Sequence, residues 1–390
     1  MNKLIKEIFK SISFSKILLC RYGILIHGGY GVRNLGDDAI QKGILRLLKR
    51  KLKCIPIYVL SFDVQRDSTK YKDFNINVLS IKSPFSVLYG LVKCKFVLFG
   101  GGGRFGSETG AKKGNKPFEG IFVLILAFIS KLLRNKVFFY GIGCTEIKHS
   151  PYILRIILNM ADYISVRDTI SLKKLKSIGV KKKIELVKDP AFNLDISLEK
   201  EVNKKIMEEN VFLLAPKSKK IIGINLRFLD LWHMVDEQVN ISKFNHMFIE
   251  KMSELVNRLI EMGYFVLFIP FGRHKYKLLE NDLLFAYNLL NKIKNRKSFM
   301  ILLKEYEPEE IISIMSHLDF FIGMRLHSII FAHIAKIPFV AIIYDKKVEA
   351  FLRDHNKLTY GVYPTDERIV EKILAMIMRL ESNKVGYNGS

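Results

Sequence analysis

The sequence predicts an α/β protein made of two Rossmann-like parallel-sheet domains, and three observations support this fold class. Short apolar runs alternate with segments of helical periodicity along most of the 390 residues. The alternation occurs twice, before and after a polar and charged stretch at 193–220. Many apolar runs end in glycine or in a cationic residue, and ligands of open α/β sheets bind at the carboxyl ends of strands. We therefore expect two domains that face a cleft.

The apolar runs and the helical periodicity locate the individual elements. Strands of the first domain are expected at 22–27, 55–60, 96–99, 137–143, 163–166 and 184–187, and strands of the second at 221–225, 264–269, 300–303, 319–322 and 337–343. Helices are expected at 40–51, 118–133, 151–161, 243–262, 275–294, 308–317 and 366–382, with others beginning at 169, near 325 and after 347. The predicted segments are an N-terminal segment at 1–20, domains at 21–195 and 221–365, a linker at 196–220, and a C-terminal helix and tail at 366–390.

Composition and charge limit the kinds of binding partner that are expected. The chain has 63 Lys and Arg against 38 Asp and Glu, a net charge of +25, which suits nucleic acid, an anionic membrane or anionic small substrates. No nucleic-acid-binding motif is present and the lysines are scattered, so we expect no nucleic-acid partner. Anionic substrates are favoured, with membrane contact as an addition. The four cysteines share no close spacing, which predicts neither a zinc site nor a disulfide framework.

The N-terminal segment at 1–20 is basic and amphipathic. It lacks the continuous apolar centre of a signal peptide. It is expected either to lie on an anionic membrane surface or to pack on the first domain. The most apolar run of the chain, 121–129, is far shorter than the roughly 20 residues that a spanning helix needs, so a buried helix is expected there.

A glycine-rich loop follows the first predicted strand and suggests an anion or nucleotide site. Gly31 and Gly36 have the spacing of a P-loop, but Asp37 stands where that motif requires lysine. Acidic Asp37 and Asp38 argue against a phosphate at this turn. They can orient a sugar hydroxyl or cap the helix that follows.

A second glycine-rich loop follows the strand at 96–99. Gly101, Gly103 and Gly106 formally fit the dinucleotide fingerprint, which requires a helix to begin at once. A polar stretch at 107–116 intervenes instead. We expect a substrate loop that needs close backbone approach, and no NAD or FAD.

The strongest candidate site is Arg325-Leu326-His327, where an apolar strand passes into a helix. Arginine offers a planar fork for a carboxylate or phosphate, histidine can transfer a proton near neutral pH, and a helix N-terminus favours an anion. The alternative is a buried arginine and histidine that only satisfy a loop. Other cationic residues expected at strand ends are Arg167, Arg227, His274 and Lys347.

Seven short motifs occur in order from about residue 23 to 350. They are Gly31-x-x-Asn34-x-Gly36-Asp37, Gly100–Gly103, Gly141-Ile142-Gly143, Ser165-Val166-Arg167-Asp168, Asp189-Pro190-Ala191-Phe192, Arg325-Leu326-His327 and Tyr344-x-x-Lys347. Together they resemble the polysaccharide pyruvyl transferase family. Asp38 stands where glutamate is expected and Arg104 where an apolar residue is expected, and both departures concern the acceptor side.

The resemblance implies a glycosyltransferase-B-like fold and transfer of pyruvate from phosphoenolpyruvate to a sugar of a bacterial surface polysaccharide or its precursor. The acceptor would be a nucleotide sugar, a lipid-linked repeat or a polymer. It implies catalytic roles for Arg325 and His327, with phosphoenolpyruvate as co-substrate and no other cofactor. No HxxH, DxD or His-carboxylate cluster with ligand spacing is present, so no metal is expected. Expected donor-binding residues are Arg325, Leu326, His327, Arg167, Arg227 and Lys347. Expected acceptor-binding residues are Gly31, Asn34, Asp37, Gly102, Gly103, Arg104 and His274.

The resemblance leads to a mechanistic hypothesis and leaves two other functions open. His327 would protonate the enol methylene, one sugar hydroxyl would attack C2, and a second would displace phosphate to close a ketal. A nucleotide-sugar-dependent glycosyltransferase would share the fold and a basic cleft. A non-catalytic sugar- or membrane-binding protein would keep the fold without needing His327. The expected setting is the cytoplasm, at the inner face of the cell membrane.

Overall fold

The computed structural model describes residues 4–8, 22–102, 118–144, 151–194, 220–229, 240–275 and 277–382. The chain divides into two compact units. The first comprises Met1–Arg33 and Asp37–Leu194, and the second comprises Asn34–Gly36 and Asp195–Ser390. Each unit contains a parallel sheet with helices, which confirms the predicted fold class.

The first unit is built on a sheet that has seven strands in the described part of the chain, ordered β3-β2-β1-β4-β5-β6-β7 and parallel throughout. The strands are β1 (Ile24–His27), β2 (Ile57–Ser61), β3 (Asn77–Ser80), β4 (Phe96–Gly102), β5 (Lys136–Ile142), β6 (Tyr163–Val166) and β7 (Ile184–Leu186). The helices are α1 (Leu35–Lys51), α2 (Val64–Lys70), α3 (Pro84–Lys93), α4 (Phe118–Leu132), α5 (Pro151–Met160) and α6 (Thr169–Ser177). Two 3₁₀ turns lie at Lys72–Phe74 and Pro190–Asn193.

Two apolar clusters form the core of the first unit. One contains buried residues of α3, α4, α5 and α6, and the other contains the apolar side of α1. Leu4, Ile5 and Ile8 are fully buried in the second cluster. Residues 4–8 of the N-terminal segment therefore pack on the first domain, which is one of the two expected alternatives. Residues 1–3 and 9–20 lie outside the described part of the chain.

The second unit has a sheet of six strands among the described residues, ordered β10-β9-β8-β11-β12-β13 and parallel throughout. The strands are β8 (Ile221–Asn225), β9 (Phe265–Phe268), β10 (Phe299–Ile301), β11 (Phe320–Gly323), β12 (Phe339–Ile342) and β13 (Gly361–Val362). The helices are α7 (Ile241–Glu261), α8 (Asp282–Leu290), α9 (Pro308–Ser316), α10 (Leu326–Ile334), α11 (Lys346–Asp354) and α12 (Ile369–Ser382). Three 3₁₀ turns lie at Leu278–Glu280, Arg296–Ser298 and Leu358–Tyr360. No helix in the described residues is both long and apolar enough to cross a membrane.

Most predicted elements are present. The helix at 121–129 is present but only partly buried, contrary to the expectation, because Ile121, Ile125 and Phe128 are exposed. One predicted helix is wrong. The pattern at 275–294 indicates a single helix, whereas the structure has a 3₁₀ turn and then α8, which begins only at Asp282. The interruption has a local cause, because the Asn281 side chain caps α8 by accepting the N–H of Leu283. Four further elements, α2, α3, β3 and β13, were not predicted from the sequence. Strand β3, Asn-Val-Leu-Ser, lies at the sheet edge, where few apolar residues are needed.

The Asp-Pro-Ala-Phe motif packs against glycines of neighbouring elements. A Cβ added to Gly43 of α1 would lie 2.0 Å from the carbonyl oxygen of Pro190. Gly141 has φ +61°, and a Cβ there would lie 2.9 Å from two ring carbons of Pro190. These close approaches explain why glycine is needed inside a helix and at a strand end.

We expect Gly43→Ala to destabilise the protein by about 1–3 kcal/mol, because the new methyl group meets backbone that must move. In an unobstructed helix the same change stabilises by up to about 1 kcal/mol. The sign of the change in the free energy of unfolding, measured by urea denaturation with far-UV circular dichroism, therefore tests the packing. Gly90→Ala in α3 is the control, since its Cβ would meet only leucine methyl groups at 2.9 and 3.1 Å. A gain in stability for Gly43→Ala would contradict the prediction.

Candidate active site

A buried carboxylate organises the carboxyl edge of the second sheet. Asp282, the first residue of α8, is fully buried. Its Oδ2 accepts the backbone N–H groups of Phe271 and Gly272, both at 2.9 Å, and the Nδ2 group of Asn225 at 3.1 Å. Asn225 ends β8, and 271–272 follow β9. One carboxylate thus ties together the ends of two adjacent strands.

The same carboxylate holds Arg325. Arg325 Nε lies 2.9 Å from both Asp282 oxygens, and Nη2 donates to Oδ1 at 2.7 Å and to the Glu280 carbonyl at 2.8 Å. Burial by itself lowers the pKa of the Arg325 guanidinium, but Asp282 outweighs burial, and Tyr344 and Glu280 also contribute, so this pKa is raised overall. Arg325 therefore keeps its charge and its position. Its Nη1 makes no hydrogen bond to the described residues.

His327 is positioned at the start of α10 by a segment from the other half of the sequence. Arg325 is the N-cap, so His327 is the second residue of the helix, where backbone N–H groups are unpaired within the helix. A Cβ added to Gly36 would lie 2.2 Å from His327 Nδ1. The Leu35 N–H donates to the Phe271 carbonyl at 2.8 Å, which fixes this contact. Only glycine at position 36 leaves room for the imidazole.

Asn34 and Gly272 complete the same arrangement. They form an antiparallel bridge, and the Asn34 side chain accepts the Gly36 N–H at 3.0 Å. A Cβ added to Gly272 would lie 2.2 Å from Arg325 Nη2. By its contacts, the segment Asn34–Gly36 belongs to the second unit. Asn34, an expected acceptor-binding residue, thus lies beside Arg325 and His327 and supports them.

Two further cations meet at one aromatic ring at this edge. The Arg227 guanidinium carbon lies 5.6 Å, and Lys347 Nζ 5.7 Å, from the centroid of the Tyr344 ring. Lys347 also lies 3.4 Å from the Asp345 carboxylate. Arg227 is only 4 % exposed, and its Nε donates to the Phe228 carbonyl at 3.1 Å.

These contacts give the edge an excess of positive charge. Arg325 and Lys347 are each paired with a carboxylate, whereas no carboxylate of the described residues lies within ion-pair distance of Arg227. A buried guanidinium without a counter-charge is costly unless an anion binds to it. The α10 N-terminus adds a partial positive charge to this edge. The site can therefore hold a small anion, with a histidine at its margin.

Arg167 lies in the first unit, at the end of β6, and is held by acidic neighbours. Its Nη1 donates to Asp189 at 2.8 Å, and its Nε lies 3.9 Å from Asp168. Burial lowers the pKa of Arg167, but Asp189, then Asp168 and Asp37, outweigh it and raise this pKa overall. The Asp168 side chain also caps α6 by accepting the Ser171 N–H. Asp37 is thus placed near an arginine.

The acidic residue after Asp37 has a different environment. Asp38 is buried and accepts from Arg66 at 2.6 Å and Lys70 at 2.8 Å. Burial raises the pKa of Asp38, but Lys70 and Arg66 outweigh it and lower this pKa to about 2. Nearby, burial raises the pKa of Asp67 to about 6. Asp38 therefore belongs to a buried ion-pair cluster. Its partners Arg66 and Lys70 were not predicted from the sequence.

The expected glycine positions of the first unit serve close backbone packing. Gly31 has φ +80°, and its Cβ would lie 2.5 Å from Ser61 Oγ and from the Asp63 nitrogen. Gly102 ends β4 with φ +92°, and its carbonyl accepts the Gly143 N–H at 2.8 Å. Gly103 and Arg104 lie outside the described residues.

Two other expected residues of the second unit have local roles. The Nδ1 atom of His274 accepts the Lys277 N–H at 3.2 Å in the turn after β9. Its neighbour Arg273 bonds the carbonyl groups of Leu302 and Lys304. Leu326 is a buried apolar residue that packs at the start of α10.

The structure thus brings together Arg325, His327, Arg227 and Lys347 at one sheet edge of the second unit, while Arg167 belongs to the first. Asp282 was not predicted as a site residue, because the single helix predicted at 275–294 places it inside a helix and not at a helix start. Asn225 had a usable signal, since it is a polar residue that ends a buried strand.

Comparison with known proteins agrees with the motifs. The family model described as polysaccharide pyruvyl transferase matches residues 34–346. Among curated protein sequences, none matches this chain.

Solved structures show the fold. HepE from Anabaena in complex with UDP-glucose has a TM-score of 0.60 at 13 % identity, covering 94 % of this chain and 92 % of that one. The UDP-GlcNAc 2-epimerase from Methanocaldococcus jannaschii has a TM-score of 0.59 at 13 % identity, covering 91 % of both chains. The UDP-GlcNAc 2-epimerase from Neisseria meningitidis bound to UDP-GlcNAc has a TM-score of 0.56 at 13 % identity, with 94 % and 93 % covered. At this identity the likeness concerns the fold, which is that of glycosyltransferase-B proteins and sugar epimerases.

We expect Asp282→Ala to destabilise the protein by about 3–5 kcal/mol, because it leaves the Arg325 charge buried without a partner. Equilibrium urea unfolding measures the loss. Glu349→Ala is the control, since it breaks an exposed pair with Arg353 and should cost at most about 1 kcal/mol. Equal effects of the two substitutions would show that Asp282 does not organise the site.

Proposed function

We propose that this chain, which belongs to the polysaccharide pyruvyl transferase family, transfers pyruvate from phosphoenolpyruvate to a sugar of a surface polysaccharide or its precursor. The donor would bind at the carboxyl edge of the second sheet. The acceptor would be a nucleotide sugar, a lipid-linked repeat or a polymer. Because phosphoenolpyruvate is cytosolic, we place the reaction in the cytoplasm.

The buried Arg227 guanidinium is the observation that carries this proposal. It is 4 % exposed and has no carboxylate partner among the described residues. Phosphoenolpyruvate carries a carboxylate and a phosphate on three carbon atoms, so a compact group of cations suits it. Arginine binds either anion with two parallel hydrogen bonds. Arg325, held rigidly by Asp282, and Lys347 would supply the remaining positive charge.

In the proposed reaction His327 is the general acid. It donates a proton to the methylene carbon of the enol, and a sugar hydroxyl bonds to the cationic C2 and loses its proton. A second hydroxyl then forms another bond to C2, the bond from C2 to the phosphate oxygen breaks, and phosphate leaves. Of the two protons that the hydroxyls lose, one returns to His327 and the other is taken up by the departing phosphate, so the products are a pyruvyl ketal and hydrogen phosphate.

The residues around His327 support this role through its position. Gly36 sits against Nδ1 of the imidazole, and Asn34 fixes the Gly36 backbone. Catalysis needs the imidazole in one fixed position, because a misplacement of about 1 Å of a catalytic group can greatly lower the rate. Arg227 and Arg325 would stabilise the charge that develops on the leaving phosphate.

A nucleotide-sugar-dependent glycosyltransferase is the alternative proposal. The observation that favours it is the fold shared with HepE, which was solved with UDP-glucose. Such an enzyme would use the same cationic edge for a diphosphate. Ligand binding distinguishes the two donors.

We expect phosphoenolpyruvate to bind the wild-type protein in calorimetric titration and Arg227→Ala to weaken this binding about 10- to 100-fold, because one charge-assisted interaction is lost. Arg353→Ala is the matched control, since Arg353 is an exposed arginine of the same unit. Each titration is repeated with candidate sugars, in case the acceptor must bind first. Binding of UDP but not of phosphoenolpyruvate would favour the glycosyltransferase.

We expect His327→Gln to lower the rate of phosphate release with phosphoenolpyruvate and an acceptor panel by about 10²- to 10⁴-fold, because glutamine cannot donate the proton. The calorimetric affinity for phosphoenolpyruvate should change by only a few fold. His355→Gln, outside the proposed site, is the control. Substantial activity in His327→Gln would show that the histidine only hydrogen-bonds the donor.

A further inference from the structure

Three helices of the first unit, α3, α4 and α5, leave large apolar side chains exposed. The exposed fraction reaches 85 % for Phe85, 66 % for Leu132 and 64 % for Tyr152. We name the whole set the apolar face. It consists of Phe85, Leu88, Tyr89 and Val92 of α3, Ile121, Ile125, Phe128, Ile129 and Leu132 of α4, and Tyr152, Ile153, Ile156 and Met160 of α5.

These side chains form stripes rather than scattered positions. On α4, residues 121, 125, 128 and 132 recur at the spacing of one side of a helix, while Val123, Leu126 and Ala127 are buried. Each of the three helices thus has one apolar side in the core and a second apolar side in solvent. Monomeric proteins rarely expose contiguous apolar patches larger than a few hundred Å² without a binding role.

The three helices are neighbours on one side of the sheet. Leu91 of α3, Leu126 of α4 and Leu158 of α5 belong to the same core cluster. The Asn135 side chain, just after α4, donates to the Leu91 carbonyl at 3.0 Å. The stripes therefore lie on one surface of the first unit.

The margin of the apolar face is basic. No acidic residue occurs in α3, in α5 or at positions 121–132 of α4. Arg155 of α5 lines a surface cavity together with Asn159, Lys181 and Lys182. The basic residues of α6 and the turn after it are Lys173, Lys174, Lys176, Lys181, Lys182 and Lys183. No acidic residue interrupts this run from 169 to 183.

We propose that the apolar face and its basic margin bind the surface of an anionic lipid bilayer. Apolar side chains would enter the boundary between headgroups and acyl chains, and the lysines would contact anionic headgroups. A cluster of four to eight basic residues beside an apolar helix face is the pattern that anionic phospholipids attract. The surface differs from the one expected from the sequence, because Leu4, Ile5 and Ile8 of the N-terminal segment are buried.

Charge favours lipid over a second copy of the chain as the occupant. Both subunits of a two-fold dimer would present this same surface with its basic margin, so two surfaces of like charge would face each other. The net charge of +25 adds to this repulsion. An anionic bilayer has the opposite charge and a matching apolar layer. The inference does not depend on which reaction the second unit catalyses.

Vesicle co-sedimentation of the full-length chain tests the proposal. The wild type should bind phosphatidylcholine vesicles that contain phosphatidylglycerol at least about tenfold better than pure phosphatidylcholine, and less well in roughly 0.5 M salt. The combined variant Phe85→Ser, Leu132→Ser and Tyr152→Ser should lose at least about tenfold in binding to the anionic vesicles, because interfacial binding scales with buried apolar area.

The basic margin is tested separately. Lys181→Gln, Lys182→Gln and Lys183→Gln together should reduce binding to anionic vesicles and leave the weak binding to phosphatidylcholine unchanged. Matched controls elsewhere on the chain are Met247→Ser, Leu278→Ser and Met378→Ser for the apolar set, and Lys51→Gln, Lys53→Gln and Lys297→Gln for the basic set. The controls should bind like the wild type, and thermal unfolding confirms that each variant folds.

Several outcomes would overturn the proposal. One is a wild type that does not bind anionic vesicles, and another is a control set that reduces binding as much as its test set. In sedimentation velocity, a wild-type dimer that the Phe85, Leu132 and Tyr152 substitutions dissociate, without vesicle binding, would identify a second copy as the occupant.

Discussion

The second unit depends on one buried ion pair. The Asp282 carboxylate receives hydrogen bonds from Arg325, from Asn225 and from the backbone at 271–272, so the ends of β8 and β9 and the start of α10 share one acceptor. A buried carboxylate with this many donors is held firmly in place by its hydrogen-bond network. The position of Arg325, and through the backbone that of His327, follows from this arrangement. A residue of no evident importance in the sequence therefore sets the geometry of the most conspicuous motif.

Charge balance separates the residues that hold the site together from those that are available to a ligand. Arg325 has Asp282, Lys347 has Asp345 and Arg167 has Asp189, so each of these cations has a local partner. Among the described residues, Arg227 contacts the Phe228 carbonyl group and the face of Tyr344, and no carboxylate lies within ion-pair distance. Burying a cation in this way reduces stability, and a structural role alone would favour a nearby carboxylate. The proposed role of Arg227 in binding an anionic donor would explain this cost.

Sequence periodicity predicted the two-sheet architecture and most strands because each buried strand is a short apolar run between turn residues. It failed for β3, an edge strand with polar residues, and for the helix start at Asp282. The site shows the same division. Arg325, His327, Arg227 and Lys347 were identified as strand-end residues, whereas Asp282 and Asn225 act through contacts between residues distant in the sequence. Pairing at a separation of 43 residues leaves no local pattern.

The motif at 34–37 shows how a correct match can carry an incomplete interpretation. Its glycine and asparagine suggest acceptor binding, yet Gly36 lies against the His327 ring and Asn34 pairs with Gly272 beside Arg325. Any side chain at position 36 would push the imidazole away, since even a Cβ would be 2.2 Å from Nδ1. The glycine is thus explained by the space that a histidine needs, about 290 residues later in the chain. An acceptor role for this loop would have to come from Asp37, which lies near Arg167 in the first unit.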